Sequence, residues 1–153
     1  MHTMVTLAPM SDAAFDAWSP RTWANYKADL LRAGFTEDAA DENIRQTIAG
    51  TMQDGRPGSG QHVFEVHEDG ETVGAVWLAE RGTDWFIYDL EIDSEHRGKG
   101  LGRAAMRAIE DFVRTHGGTS IGLSVFGFNT VAQRLYESEG YDTVRRSMSK
   151  RLD

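Results

Sequence analysis

Asp93-Ser94-Glu95-His96-Arg97-Gly98-Lys99-Gly100-Leu101-Gly102 separates an apolar run, Asp84 to Ile92, from a long amphipathic stretch that ends near His116. Three glycines in five positions strip side chains from this turn, so its backbone N–H groups can converge on an anion. The helix expected over Gly100–His116 adds unpaired N–H groups and the positive end of its dipole. Arg97 and Lys99 put full charges beside them. A pyrophosphate is the natural guest, and a turn that only lets strand and helix pack closely is the competing reading. The helix itself rests on an apolar stripe of Leu101, Ala105, Ala108, Ile109, Phe112 and Val113, with Arg103, Arg107, Asp111 and Arg114 pointing away. His116-Gly117-Gly118 stops it, after cations in the last turn. The turn is no P-loop, because G-x-x-x-x-G-K-[ST] is missing, and its third glycine comes too soon for the dinucleotide fingerprint G-x-G-x-x-G.

Outward from this turn the chain reads as alternating strands and helices. Thr3 to Pro9 alternates as a first strand. A helix is expected from Ser11-Asp12 onward, with Pro20 breaking or restarting it. A second helix runs from Thr36 to Met52, with a Thr cap, first-turn acids, and Ala40, Ile44 and Ile48 at helical spacing. After a loop over residues 54–60, His62 to His67 and Thr72 to Glu80 read as a hairpin joined by Asp69-Gly70. Asp84 to Ile92 follows as a third extended run. Beyond the glycine turn come a strand from Ser120 to Val125, a short helix capped by Asn129, and a final strand over Tyr141 to Lys150. This order predicts an α/β domain with a mixed, mostly antiparallel sheet and helices on its faces.

The 153 residues, at 17.0 kDa, suit one domain spanning 1–153, and 40% hydrophobic residues suffice for a core. Cysteine is absent, so an acyl group cannot be parked on a protein thiolate and no thiolate metal site exists. No metal is expected. Met1 to Met10 lacks the pattern of a signal peptide and no run is long enough to span a membrane, so a cytoplasmic protein without membrane partners is expected. The formal charge of −8 argues against nucleic acid as a partner. Residues 61–95 carry one Lys/Arg against ten Asp/Glu, whereas residues 96–153 carry ten against six. His96 to Ile109 holds four cations and no acid, either a basic helix face or an anion site in an otherwise acidic chain.

Arg97-Gly98-Lys99-Gly100-Leu101-Gly102 fits the pattern [RQ]-x-x-G-x-[GA], and Asn129-Thr-Val-Ala-Gln-Arg-Leu-Tyr136-Glu-Ser-Glu-Gly-Tyr141 is similar to N-x-x-A-x-x-L-Y-x-x-x-G-[FY]. In that order, with a strand between, these motifs resemble the GNAT superfamily of acyl-CoA N-acyltransferases. The resemblance implies a sheet of six to seven strands flanked by about four helices, and acetyl-CoA as cosubstrate. It implies that Gly98, Lys99, Gly100, Leu101, Gly102 and Arg103, with Arg97, hold the coenzyme A pyrophosphate. Leu90 to Ile92 should pair with the pantetheine arm, and a bulge there would aim one N–H, that of Leu90, at the thioester carbonyl. Asn129 should bond the pantetheine, cap its helix, or do both. Tyr136 matches the general acid that protonates the departing thiolate, although spacing alone favours a core tyrosine.

The base is less determined. An amine acceptor is mostly protonated at neutral pH and must lose a proton before attack. Glu91 is the first candidate and Asp89 the second, since their alternation places both on one sheet face unless a bulge intervenes; two solvated carboxylates are the alternative. His62, His67 and His96 are weaker candidates. Trp18, Trp23, Tyr26, Phe35, Trp77, Trp85 and Phe86 fall where relatives shape the acceptor site, though core packing explains them as well. The acidic middle of the chain points to a small-molecule, cationic amine acceptor. A protein N-terminus or lysine is the alternative acceptor, and a silent coenzyme A-binding module the alternative function. The last strand would offer an edge to a second subunit, giving a homodimer, with Arg145, Arg146 and Lys150 blunting it against uncontrolled pairing.

Overall fold

The computed structural model describes residues 4–152, so Thr3, expected to open the first strand, lies outside them. The elements in chain order are β1 (Val5–Pro9), α1 (Asp12–Arg32), α2 (Glu37–Thr51), the two-residue strands β2 (Met52–Gln53) and β3 (Arg56–Pro57), then β4 (Gln61–Glu68), β5 (Glu71–Arg81) and β6 (Asp84–Ile92). A single 3-10 turn (Ser94–His96) leads to α3 (Leu101–Thr115), β7 (Ser120–Leu123) and α4 (Thr130–Ser138). The main sheet has five strands, fewer than the six to seven the resemblance implied, in the order β1-β4-β5-β6-β7, and β2 pairs with β3 as a separate ribbon. Every pairing is antiparallel except β6 with β7.

Two apolar layers cover the two faces of this sheet. On one side Leu101, Ala105, Met106, Ile109 and Val113 of α3 pack with Phe64, Val66, Val76, Leu78, Trp85 and Ile87. Period-2 strands meet a period-3.6 stripe there, which is why the α3 pattern was readable in the sequence. On the other side Phe15 and Trp18 of α1 pack with Val63, Ala75 and Trp77.

Three expectations need correction. Pro20 does not break α1, which runs unbroken from Asp12 to Arg32. Buried anchors lie on both sides of it (Phe15 and Trp18 before, Leu30 after), and Pro20 itself is exposed, so its ring crowds the solvent side of the helix. The residues between α2 and β4 are not wholly loop, since Asp54 and Gly55 turn the β2–β3 ribbon with φ of 52° and 77°. The third correction concerns Tyr141 to Lys150, which forms no strand. Tyr141 is held to α3 by donating its hydroxyl proton to Glu110 (2.9 Å), but the residues after it are exposed, with Val144 at 96% and Met148 at 84%. Alternation gives β propensity, yet a strand forms only where a neighbouring edge completes its ladder, and β7 ends after four residues.

Candidate active site

The parallel pairing of β6 with β7 covers only Asp84–Ile87 against Ser120–Leu123. Beyond Ile87 the two strands part, and one edge of Tyr88–Ile92 is left without a strand partner. Leu90 and Ile92, expected to pair with a pantetheine arm, lie in this open half.

The glycine turn stands at the end of that edge. Gly98 and Gly100 have φ of 78° and 76°, the left-handed region that side chains disfavour, and a Cβ at either would meet nothing within 4 Å. The space over the turn is therefore open, and the first-turn N–H groups of α3 have no partner inside the helix. Gly102 serves differently: a Cβ there would stand 3.2 Å from Leu135 Cδ2, so this glycine lets α4 approach α3. Lys99 makes no ion pair among the described residues. Arg97 is turned away from the turn, donating from Nε to the Ile92 carbonyl (2.8 Å) with Nη2 3.8 Å from Glu91. The Arg103 side chain is engaged by Glu139 at 2.8 Å, so only its backbone N–H is free for an anion. Open space, converging N–H donors and one unpaired ammonium fit the pyrophosphate of coenzyme A.

The carboxylates owe their placement to a bulge. Leu78 pairs with Ile87 and Trp77 with Asp89, so Tyr88 is the extra residue. Before it, Trp85 and Ile87 face α3. After it, Asp89 and Glu91 stand opposite Trp77 and Ala75, whose side chains belong to the α1 layer, while Leu90 and Ile92 turn to the α3 layer. Asp89 and Glu91 do share a face, but it is the face opposite to Trp85 and Ile87. The bulge lies within the strand expected to contain one, two residues before Leu90.

Of the two, Asp89 is the more perturbed. Its Oδ2 is buried with no hydrogen-bond partner. Burial first, then the charges of Glu91 and Asp29, push its pKa up to about 7. Tyr136 on α4 is raised as well, by burial and then by the charge of Asp89, which brings these two groups into one electrostatic neighbourhood. Asn129 Oδ1 accepts from the Ala132 N–H at 3.2 Å and so caps α4.

Asp29 of α1 escaped the sequence reading. It is held above the usual carboxylate range by burial, against the lowering effect of Arg32. Nothing in its local sequence marks it, because its relation to Asp89 arises only when α1 crosses the sheet. The histidines stand elsewhere. His62 stacks on Trp85 and Phe64, His67 Nε2 lies 3.6 Å from Glu65, and His96 Nε2 lies 3.7 Å from Glu71.

Residues 18–141 match the model of the acetyltransferase (GNAT) family. The chain belongs to the GNAT acetyltransferase family. Its GNAT relatives include the uncharacterized N-acetyltransferase YdgE of Bacillus subtilis, 29% identical over 96% of this chain and 98% of that protein. The crystal structure of the uncharacterized N-acetyltransferase YycN of Bacillus subtilis superposes with a TM-score of 0.87 at 26% identity, covering 97% of this chain and 99% of that one. An aminoglycoside N-acetyltransferase, AAC(6')-Iy in complex with CoA, shares the fold with a TM-score of 0.59 at 14% identity, covering 99% and 97%. The mixed sheet with four flanking helices is thus the GNAT fold, and the chain is an N-acetyltransferase of the acetyl-CoA-using kind. Among the described residues no helix is long and apolar enough to cross a membrane.

Proposed function

We propose that this chain acetylates a small cationic amine directly from acetyl-CoA, with Asp89 as general base and Tyr136 as general acid. The observation that carries this reading is Asp89, a carboxylate in the open half of β6 whose Oδ2 is buried without a partner and whose pKa is pushed up to about 7, with its charge acting on Tyr136. A base near the working pH is deprotonated often enough to act and basic enough to take a proton. Asp89 therefore displaces Glu91 as first candidate, and Glu91 keeps the neighbouring face negative.

Acetyl-CoA, when bound, supplies the acetyl group as a thioester. The glycine turn holds its pyrophosphate through backbone N–H groups and Lys99. Asp89 takes one proton from the ammonium and frees the lone pair for attack. The Leu90 N–H donates to the carbonyl oxygen as negative charge gathers there. Tyr136 gives its proton to the departing sulfur and is restored by the second proton of the amine nitrogen. The new C–N bond replaces the C–S bond, and the proton on Asp89 passes to water. Tyr136 begins from a raised pKa, so its phenol stays protonated until the thiolate leaves. The absence of cysteine supports direct transfer, and acids at Glu65, Glu91, Asp93 and Glu95 around the same face support a cationic acceptor. Small-molecule acceptors are also what the named substrates of the aminoglycoside and streptothricin acetyltransferases among its relatives bring to mind.

Thiol release from acetyl-CoA across a panel of amines, peptides and aminoglycosides tests the reading. Release that depends on cationic small amines, with kcat/KM falling as salt rises, is the expected result. Equal use of neutral and cationic acceptors, with no salt dependence, overturns the cationic acceptor. Release with peptides alone moves the acceptor to protein.

A further inference from the structure

Residues 142–152 leave the fold after Tyr141 as an arm, and every one of them is exposed. Among the described residues no backbone hydrogen bond reaches this arm, and Arg145, Arg146, Lys150 and Arg151 make no ion pair. Val144, Met148 and Leu152 recur at every fourth position, so an extended chain carries them on one face. They are 96%, 84% and 82% exposed. A row of large apolar side chains held in water marks a surface made to be covered.

The elements just before the arm lack cover too. Strand β7 closes the sheet, bonded to β6 on one side and to no strand on the other. Its Ile121 and Leu123 pack on the layer beneath α3 yet stay half-buried, and Val125 beyond them is 36% exposed. Helix α4 has no buried residue, and Val131 on it is 78% exposed. Ion pairs from Glu139 to Arg103 and Arg107 tie its end to α3, but Leu135 and Tyr136 remain only half-buried. The opposite edge strand, β1, differs, since α3 packs against it.

We propose that the arm of one chain pairs along the outer edge of β7 in a second copy and covers its α4, while the second copy's arm returns the contact. Arm and open edge occur on the same chain, so two copies related by a two-fold axis satisfy both at once. An unrelated partner would satisfy one and leave the other bare. Fully extended, residues 142–152 reach about 36–40 Å, far more than the about 13 Å that a four-residue edge requires. Charge agrees with this seat: residues 142–153 carry four Lys/Arg against two Asp/Glu, and residues 1–141 carry twelve against twenty-two. The alternation in the arm thus finds in the pair the ladder that the single chain denies it. Tyr136 stands on the helix that gains this cover, so, resting on the acetyl-transfer reading above, the paired form is the active one.

Sedimentation of the full chain over a dilution series tests the pairing, and backbone amide exchange locates it. The expected result is a dimer in which residues 142–152 and Ser120–Leu123 exchange slowly. Val144→Asp with Met148→Asp should raise its dissociation constant by about 100-fold or more, because both carboxylates would be buried at the contact. Both positions are exposed in the single chain, so the variant monomer should fold normally. Thiol release per chain should fall on dilution and in this variant. Mixing the variant with Tyr136→Phe, whose arm is intact, should restore turnover at the variant's own Tyr136. A dimer that behaves in this way without any thiol release would uphold the arm exchange and sink the transfer reading instead. Turnover per chain unchanged on dilution of such a dimer overturns the dependence of Tyr136 on pairing. A monomer at every concentration, an arm protected within a monomer, or a variant dimer as tight as the wild type overturns the exchange itself.

Discussion

Arg103 of α3 donates to Glu139 at the end of α4 across 2.8 Å, and Arg107, one helical turn on, reaches the second carboxylate oxygen at 3.0 Å. The Glu139 side chain is 8% exposed. This clasp, with Gly102 closing on Leu135, fixes α4 against α3 and so sets where Tyr136 stands. Donation from Arg107 and Arg103 holds the Glu139 carboxyl below its usual range.

Glu139→Gln should therefore lower the Tm at neutral pH and reduce turnover by displacing Tyr136. The fold prefers the ionised form of Glu139, so its stabilisation is present above the ordinary Glu pKa of about 4.3 and is lost as the pH falls through the lowered value. Melts of wild type and variant at pH 7 and in acid check this, and a Tm gap that stays constant with pH would show that the charge is irrelevant.

Tyr136→Phe should cut kcat by about 10-fold or more while leaving coenzyme A binding intact, because it removes one proton and little else. Thiol release and calorimetry on the same preparation check both halves. Unchanged turnover would remove Tyr136 from the mechanism.

What the sequence disclosed follows the range of the interactions involved. The glycine turn and the α3 stripe are local, so their residues announce themselves through spacing. The turn's side-chain partners are less legible: Arg97 bonds the Ile92 carbonyl five residues back, and Arg103 is engaged by Glu139, 36 residues on, through a tertiary contact no local pattern records. The perturbation of Asp89 was not legible for a similar reason, since its burial and the charge of Asp29 acting on it depend on how α1 crosses the sheet. Pro20 and the final segment erred in opposite directions. Core anchors overrode a breaker in the first, and a missing neighbour left propensity unrealised in the second.

Asp89→Asn should separate stability from activity. The Asp89 carboxyl is raised from 3.8 to about 7, so the fold prefers its protonated form. Its ionisation costs nothing below the unfolded value, and the penalty grows as pH rises towards 7 and stays constant above. The variant should be indistinguishable from wild type near pH 4 and more stable by roughly 2–4 kcal/mol at pH 8. Its kcat/KM should fall by about 100-fold or more and lose the rise with pH centred near that raised value. Denaturant unfolding and a pH–rate profile test the two parts separately, and a pH limb surviving in the variant would assign the base elsewhere.

Alanine at Gly98 or Gly100 should cost about 1 kcal/mol of stability through the left-handed backbone alone, since nothing stands near a new Cβ. The same change should raise the KM for acetyl-CoA by crowding the anion's seat. Gly102→Ala should instead act on α4, through Leu135 at 3.2 Å, and lower kcat more than it raises that KM. Paired kinetics of the three variants distinguish the roles; identical KM effects would mean that all three glycines serve the anion.

Strand β6 is two half-strands written out of phase and joined at Tyr88. Read at constant alternation, Trp85, Ile87, Asp89 and Glu91 would all fall on one side, and the two acids would be driven into the apolar layer beneath α3. The extra residue lets one short strand supply a core on one surface and two carboxylates on the other. The Tyr88 side chain stacks on Trp77 at 4.2 Å and its hydroxyl accepts from Arg81 at 2.7 Å, so the extra residue is also pinned to the α1-side layer. Deleting the one residue between Ile87 and Asp89 would exchange inside for outside along Asp89–Ile92, burying two carboxylates under α3 and turning Leu90 and Ile92 outward.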